Sequence, residues 1–237
     1  MTLPARTKRA HRPDGGRPDA APVVSPLAAR RAERLDRLVT AARELMRETG
    51  TTEFTLPDVV SRARTSLRAF YEHFEKKDDL LVAVFKAAIM ETAAGLEQAT
   101  AASDRPDERL ELYVRRLFSG TFDEPHPETT AIISLQLRLA IEQPDVLADA
   151  FRPQHELLVA ILRDGAARGD FRSDTSPGVL ALLVSQLVVA SVQTRALARE
   201  APDGLVDVGD VVAFCRQAVR ASSSPGARRP PRAGRST

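Results

Sequence analysis

TLPDVVSRARTSLRAFYEHFEKKDDLL, residues 55–81, spells two short helices, a tight turn between them and a basic lead into a long third helix. Thr55 is placed to N-cap the first helix, with Pro57 in its opening turn and Asp58 set to answer Thr55 across the cap. Val59, Val60 and Ala63 supply its buried face. Ser66 caps a second, very short helix in which Phe70 and Phe74 fall four apart on one side. Leu67, Arg68, Tyr71 and His73 are left to point elsewhere. A small apolar scaffold that presents a short helix rich in polar and aromatic side chains is what reading a major groove requires. The segment therefore predicts a DNA-binding helix-turn-helix.

The block RTSLRAFYEHFEKKDDLL, Arg64 to Leu81, resembles the helix-turn-helix signature of TetR-family transcriptional regulators. Ser66, Phe70, Tyr71, His73, Phe74, Lys77, Leu80 and Leu81 carry the match without a gap, and the likeness extends over about Leu27 to Phe85. Beyond that, only helical layout and length agree. One position departs from the family, which usually has Gly at the turn where this chain has Arg64. A non-Gly residue at positive φ costs on the order of 1 kcal/mol. Either the turn is built differently here, or the strain is tolerated.

Composition narrows the class. The 237 residues suffice for a proper core, with 43% hydrophobic and 28% charged residues. A single cysteine, Cys215, excludes a disulfide framework within one chain and a cysteine zinc site, and fits a reducing cytoplasm. The Arg- and Pro-rich N-terminus lacks the apolar core of a signal peptide. The most apolar stretch, Val179 to Val192, is interrupted by Ser185 and Gln186 and closed by Gln193, Thr194 and Arg195. A membrane span needs about 20 apolar residues, so this reads as a buried helix, with no membrane partner.

The net charge of +2 hides an uneven distribution. Residues 1–24 carry Arg6, Lys8, Arg9, Arg12 and Arg17 against Asp14 and Asp19, and residues 222–237 carry four arginines and no acid. Removing these nine bases and two acids from the 34 and 32 of the whole chain leaves a body of 25 bases and 30 acids. Both tails are rich in Pro, Gly, Ser and Arg and lack an apolar period, which predicts a disordered basic arm over 1–24 and a disordered basic tail over 222–237. The arm precedes the first helix and suits phosphate or minor-groove contacts. The tail reads as solubilising sequence.

Helical periodicity fills the rest. Ser25 and Pro26 open a first helix that Gly50 stops, and a helix of roughly 35–40 Å runs from Lys77 to about Ala102. Further helices run from Pro106 to about Gly120, over 128–142, from Pro144 with Pro153 expected to kink or divide it, from Pro177 to about Arg199, and over about 207–221. The fold class is all-α, about nine helices: a helix-turn-helix DNA-binding domain over 25–76 and a ligand-binding and dimerisation bundle over 77–221. The helix from Pro177 is apolar on nearly every side, more than one bundle face requires. Its surplus is explained if it packs with residues 207–221 against a second subunit. The resemblance implies the same homodimer, and two-fold symmetry presents two reading helices about 34 Å apart to a palindromic operator in double-stranded DNA.

No catalytic constellation is present: no glycine-rich phosphate loop, HExxH or nucleophile elbow, and four histidines without ligand spacing. The chain reads as a non-enzyme with no cofactor and no metal site. Cys215, in an apolar helical pattern, reads as a packed residue.

The candidate DNA-binding residues are Thr55, Ser66, Leu67, Arg68, Tyr71, His73 and Lys77. Arg68 suits a base contact, since arginine bridges guanine O6 and N7, or else a phosphate. Leu67 touches a thymine methyl or only covers the turn. Thr55 can hold a phosphate at a helix N-terminus as well as cap it. The resemblance implies phosphate or sugar contacts for Tyr71 and His73, against packing, and a phosphate contact for Lys77. It also implies an unknown small-molecule ligand among the middle helices, with Phe85, Ile89, Tyr113, Leu117, Phe118, Phe122, Gln136, Arg138, Phe151 and His155 as candidates, most of which serve equally well as core. Arg138 would suit an acidic ligand, or a surface salt bridge. The sequence thus reads as a ligand-responsive repressor. The rival reading is a helical ligand-binding or scaffold protein whose degenerate reader no longer binds DNA.

Overall fold

Residues 26–122, 127–197 and 206–221 are described in the computed structural model, and they form nine helices with no strand among them. The expected basic arm and tail, and residues 123–126 of the expected loop, lie outside them. The helices are α1 (Pro26–Thr49), α2 (Leu56–Arg62), α3 (Leu67–Tyr71), α4 (Lys77–Thr100), α5 (Pro106–Phe122), α6 (Pro127–Glu142), α7 (Pro144–Arg168), α8 (Pro177–Leu197) and α9 (Val208–Val219). Five of them begin on proline, whose fixed φ and missing N–H suit a first helical position. Gly50 ends α1 at φ +70.

Two apolar cores stack along the molecule. The first joins α1, α2 and α3 to the start of α4, with Leu38, Met46, Val59, Phe70, Leu80 and Phe85 closed to solvent, and also takes in Ala131, Leu135 and Leu139 of α6 and Ala150 of α7. The second gathers Leu96, Leu110, Tyr113, Leu158, Ile161, Val184, Val188 and Cys215 from α4, α5, α7, α8 and α9. Among the described residues, only α4 and α7 place buried hydrophobic residues in both cores, and so link the two. Cys215 is a packed residue, and burial pushes its thiol up to about 11.

One expectation needs correction. α7 is not divided at Pro153, which lies inside a continuous 25-residue helix. Pro153 is exposed, and so is Asp149, whose carbonyl it leaves without its usual donor, while Ala150, Gln154 and Leu158 are buried. α8 is apolar on nearly every side, as read from the sequence, and the single chain buries only one of those sides. Leu180, Ala181, Val184 and Val188 face inward, but Val179, Leu182 and Leu183 are exposed. By length and composition alone α8 is apolar enough to cross a membrane. Its inward side is packed against α7 and α5.

Past α9 the chain is tied back to the α7–α8 turn. The Arg172 amide donates to the Val219 carbonyl at 2.8 Å, and the Ala221 amide donates to the Asp170 carbonyl at 3.1 Å. Beneath this strap Phe171 lies against Gly165, where any Cβ would stand 2.1 Å from its ring.

Candidate nucleic-acid interface

The reader is set by its caps before its packing. Asp58 accepts from the Thr55 amide at 2.9 Å, and the Asp58 amide donates back to the Thr55 hydroxyl at 3.3 Å, the reciprocal box read from the sequence. The Thr55 hydroxyl also donates to Asp58 at 2.6 Å, so its proton is already engaged. These bonds hold the Asp58 carboxyl below the usual range. At the start of α3 the Ser66 hydroxyl accepts from the Ala69 amide at 3.2 Å. At α4 the Asp79 carboxylate accepts from the amides of Glu75 and Lys76, both at 3.0 Å, and closes the lead into the long helix.

The turn between α2 and α3 settles the question posed by Arg64. Its φ is +50, so the turn is built left-handed without a glycine and the strain is tolerated. The Thr65 amide donates to the Val60 carbonyl at 2.9 Å across the turn. The Arg64 side chain is exposed and makes no hydrogen bond or ion pair among the described residues. Releasing a left-handed side chain recovers about 1–2 kcal/mol, and glycine returns about 0.4–1 kcal/mol of unfolded-state freedom. Arg64→Gly is therefore expected to stabilise the protein by about 0.5–1 kcal/mol, read as a higher urea midpoint at unchanged slope. A lower midpoint would mean that the side chain does something in the fold that its surroundings do not reveal.

Beneath α3, Phe70 is fully buried, edge-on to Tyr71 at 5.4 Å and tilted on Phe74 at 5.4 Å. This anchor turns Leu67, Arg68 and Tyr71 outward, the last 57% exposed, so three of the candidate base and backbone contacts share one open face. Two other candidates are placed differently. His73 is half-buried, with Nε2 enclosed and without a hydrogen-bond partner. Burial first, then the charges of Arg31 and Arg34, push its imidazole below its ordinary pKa. A closed Nε2 favours packing over a phosphate contact. The Lys77 ammonium stands 4.6 Å over the Phe54 ring, a cation–π contact that anchors α4 to the reader.

Ion pairs that the sequence reading did not single out fix the unit against its neighbours. Arg62 of α2 grips Glu48 of α1 with both guanidinium arms, at 2.5 and 2.9 Å. Glu128, on the first turn of α6, takes Arg43 at 2.7 Å and Arg47 at 2.9 Å. Burial raises its pKa, but the two arginines more than offset that and leave it below the usual range. At the far side of α3, the Arg34 guanidinium meets the Glu72 carboxylate at 3.1 Å, and Arg31 donates to the Glu72 carbonyl at 3.2 Å. The only signal in the sequence for these pairs is an excess of arginine along α1.

The candidate ligand residues do not form one group. Phe85 and Phe151 stack edge-on at 5.9 Å in the first core, with Ile89 alongside. Tyr113, Phe118 and the flanking Leu117 belong to the second. Gln154, buried and not foreseen, joins the two sets: its main-chain carbonyl accepts from the Tyr113 hydroxyl at 3.3 Å and its side-chain Nε2 donates to the Ile89 carbonyl at 3.2 Å. Burial pushes the Tyr113 phenol well above its ordinary pKa, against a smaller opposing influence of Ser185 on α8. Arg138 pairs with Asp78 at 3.2 Å, tying α6 to the start of α4. Gln136 and His155 are half-buried, and the Phe122 side chain lies outside the described residues. Among the described residues no three side chains cluster as a metal site would need.

Comparison with known proteins agrees with this architecture. Residues 38–84, which span the second half of α1, α2, α3 and the start of α4, match the family model described as bacterial regulatory proteins, tetR family. No curated protein matches the full sequence. RolR in complex with its ligand resorcinol has 21% identity and a TM-score of 0.61, over 82% of this chain and 91% of its own. The transcriptional regulator FadR from Bacillus subtilis, in complex with stearoyl-CoA, has 17% identity and a TM-score of 0.62, over 78% and 99%. The reduced form of NemR from E. coli has 15% identity and a TM-score of 0.64, over 81% and 99%. Fold and reader are those of helix-turn-helix transcriptional regulators. The reader is that of the tetR family of bacterial regulatory proteins, and the whole chain has the fold of that family's regulators.

Proposed function

We propose that this regulator is a ligand-responsive repressor that binds a palindromic operator in double-stranded DNA as a homodimer. The observation that carries the reading is the open face of Leu67, Arg68 and Tyr71 on a helix held from behind by Phe70 and at its start by Ser66. A row of apolar, cationic and aromatic side chains on so short and rigid a platform suits a groove. Residues 25–76 act as the reader and 77–221 as the ligand-binding and dimerisation part. The exposed apolar faces of α8 and α9 support pairing with a second copy. The rival scaffold reading draws on Arg64 at the turn and on the acidic body; the turn nonetheless closes, with Arg64 left-handed and the Thr65 amide on the Val60 carbonyl, which weakens the first of these grounds.

The ligand site is proposed where α4, α5, α7 and α8 meet, around Ile89, Tyr113, Gln154 and Ser185. RolR holds resorcinol and FadR holds stearoyl-CoA, ligands so unlike in size that neither transfers to this chain. Ligand that prefers one spacing of the two readers lowers affinity for the operator by the difference in its own affinity for the two states. α4 and α7, which enter both cores, are suited to carry that change.

Selection of genomic fragments with purified protein, followed by titration at several salt concentrations, tests the proposal. A shared palindrome bound with steep salt dependence is expected. Arg68→Ala is expected to cost about 1–3 kcal/mol of operator affinity and to relax preference at one base pair of each half-site. Equal loss on every sequence would reassign Arg68 to phosphate. An absence of any enriched motif from ligand-free protein would favour the scaffold reading.

A further inference from the structure

Glu72 is an anomaly at the reader: a carboxylate immediately after Tyr71, half-exposed, beside the helix that faces DNA on the reading above. Its amide closes the end of α3 by donating to the Arg68 carbonyl at 3.2 Å, but that bond does not need the side chain, and a surface ion pair contributes little to stability. What Glu72 does hold is charge. Its carboxylate takes the Arg34 guanidinium at 3.1 Å and its carbonyl takes Arg31 at 3.2 Å. Both arginines come from α1, whose first turn follows the basic arm. The carbonyl end of α3 adds a further pull on them. The nearby His73 offers no competing acceptor, because its Nε2 is enclosed.

We infer that the Glu72 carboxylate is a built-in competitor for the DNA backbone: it occupies Arg34 in the free protein, and phosphates displace it in the complex. The inference rests on the reading of α3 as a DNA reader. Phosphate is the better partner for a guanidinium fork, so the exchange is downhill, but it leaves the carboxylate facing a polyanion. The net effect is to hold down affinity for every duplex and to flatten its salt dependence. The protein is thereby less prone to remain on DNA at large, and the control resides in one side chain that makes no base contact.

The test uses the full chain and two probes, the selected operator duplex and a fixed random-sequence duplex of equal length. Glu72→Gln is expected to raise affinity for both by roughly five- to tenfold at moderate salt, and to steepen the log–log salt slope by about 0.9. Arg34→Gln is expected to weaken both and to make the slope shallower by about 0.9. If Glu72 acts through Arg34, the double variant behaves as Arg34→Gln does, without the gain. Thermal unfolding of all three checks that the reader is intact. Unchanged slope and affinity in Glu72→Gln, with the wild type binding normally, overturns this inference alone, as does a loss of affinity, which would make Glu72 a positioning residue. A wild type that binds neither duplex with salt dependence overturns the DNA reading itself, and this inference with it.

Discussion

A chain carrying Leu183→Glu and Phe214→Glu is expected to sediment as a monomer where the wild type is a dimer, and to lose operator affinity by at least about 100-fold. Leu183 is 60% exposed on α8 and Phe214 is 64% exposed on α9, with Val179, Leu182 and Val206 exposed as well. Val179, Leu182, Leu183 and Gln186 follow helical spacing, so they form one stripe on α8 opposite Leu180, Val184 and Val188. Burying a large apolar side chain contributes about 1.5–3 kcal/mol, and in a two-fold interface each substitution is felt twice. A carboxylate in that setting also carries a desolvation cost. The combined loss is on the order of 6 kcal/mol or more, roughly four orders of magnitude in the dimer dissociation constant. In the monomer both glutamates stand in water, so folding should be little changed, and equilibrium sedimentation together with operator titration reads the effect cleanly. A double variant that remains dimeric would place the interface elsewhere. A wild type that is monomeric at micromolar concentration would remove the palindrome from the proposal.

How far the sequence could be read depended on how local each cause is. The Thr55–Asp58 box, the Ser66 cap and the Phe70–Phe74 pair lie within a few residues of one another, and the structure returns all three. Arg64 could not be settled in advance, because side-chain type alone leaves φ open, and the left-handed turn became visible only in the backbone. α8 was legible in part for a related reason: its surplus of apolar positions foretold an unburied face, but a uniformly apolar helix has no stripe to show which side that is. Gln154 was missed because its role needs Tyr113, 41 residues away, and Ile89, 65 residues away. The same holds for Glu128 and Arg43, 85 residues apart. Conversely, Arg138 stood out as a polar residue in an apolar helix, and what it finds is Asp78 on the neighbouring helix.

The shared first core leads to the last expectation, that Phe70→Ala abolishes operator binding while α8 and α9 stay folded. Phe70 is fully buried and its loss leaves a cavity that α3, five residues long, has little means to fill. Phe→Ala at such a site costs about 3–5 kcal/mol, against a total stability of about 5–15 kcal/mol for a typical protein. The damage should not stop at the reader. The core that holds Phe70 also holds Leu38 and Met46 of α1, Leu80 and Phe85 of α4 and Leu135 of α6, so the whole lower end loosens together. The second core, with Leu158, Val184 and Val211, contains none of these residues. Hydrogen exchange is the discriminating measurement, since it resolves opening segment by segment. Protection should fall in α1, α2, α3 and the first half of α4, and persist in α8 and α9. Uniform loss along the chain would mean that α4 and α7 bind the two cores into one cooperative unit. The ligand's signal would then travel by shifting that unit as a whole, with no hinge between reader and bundle.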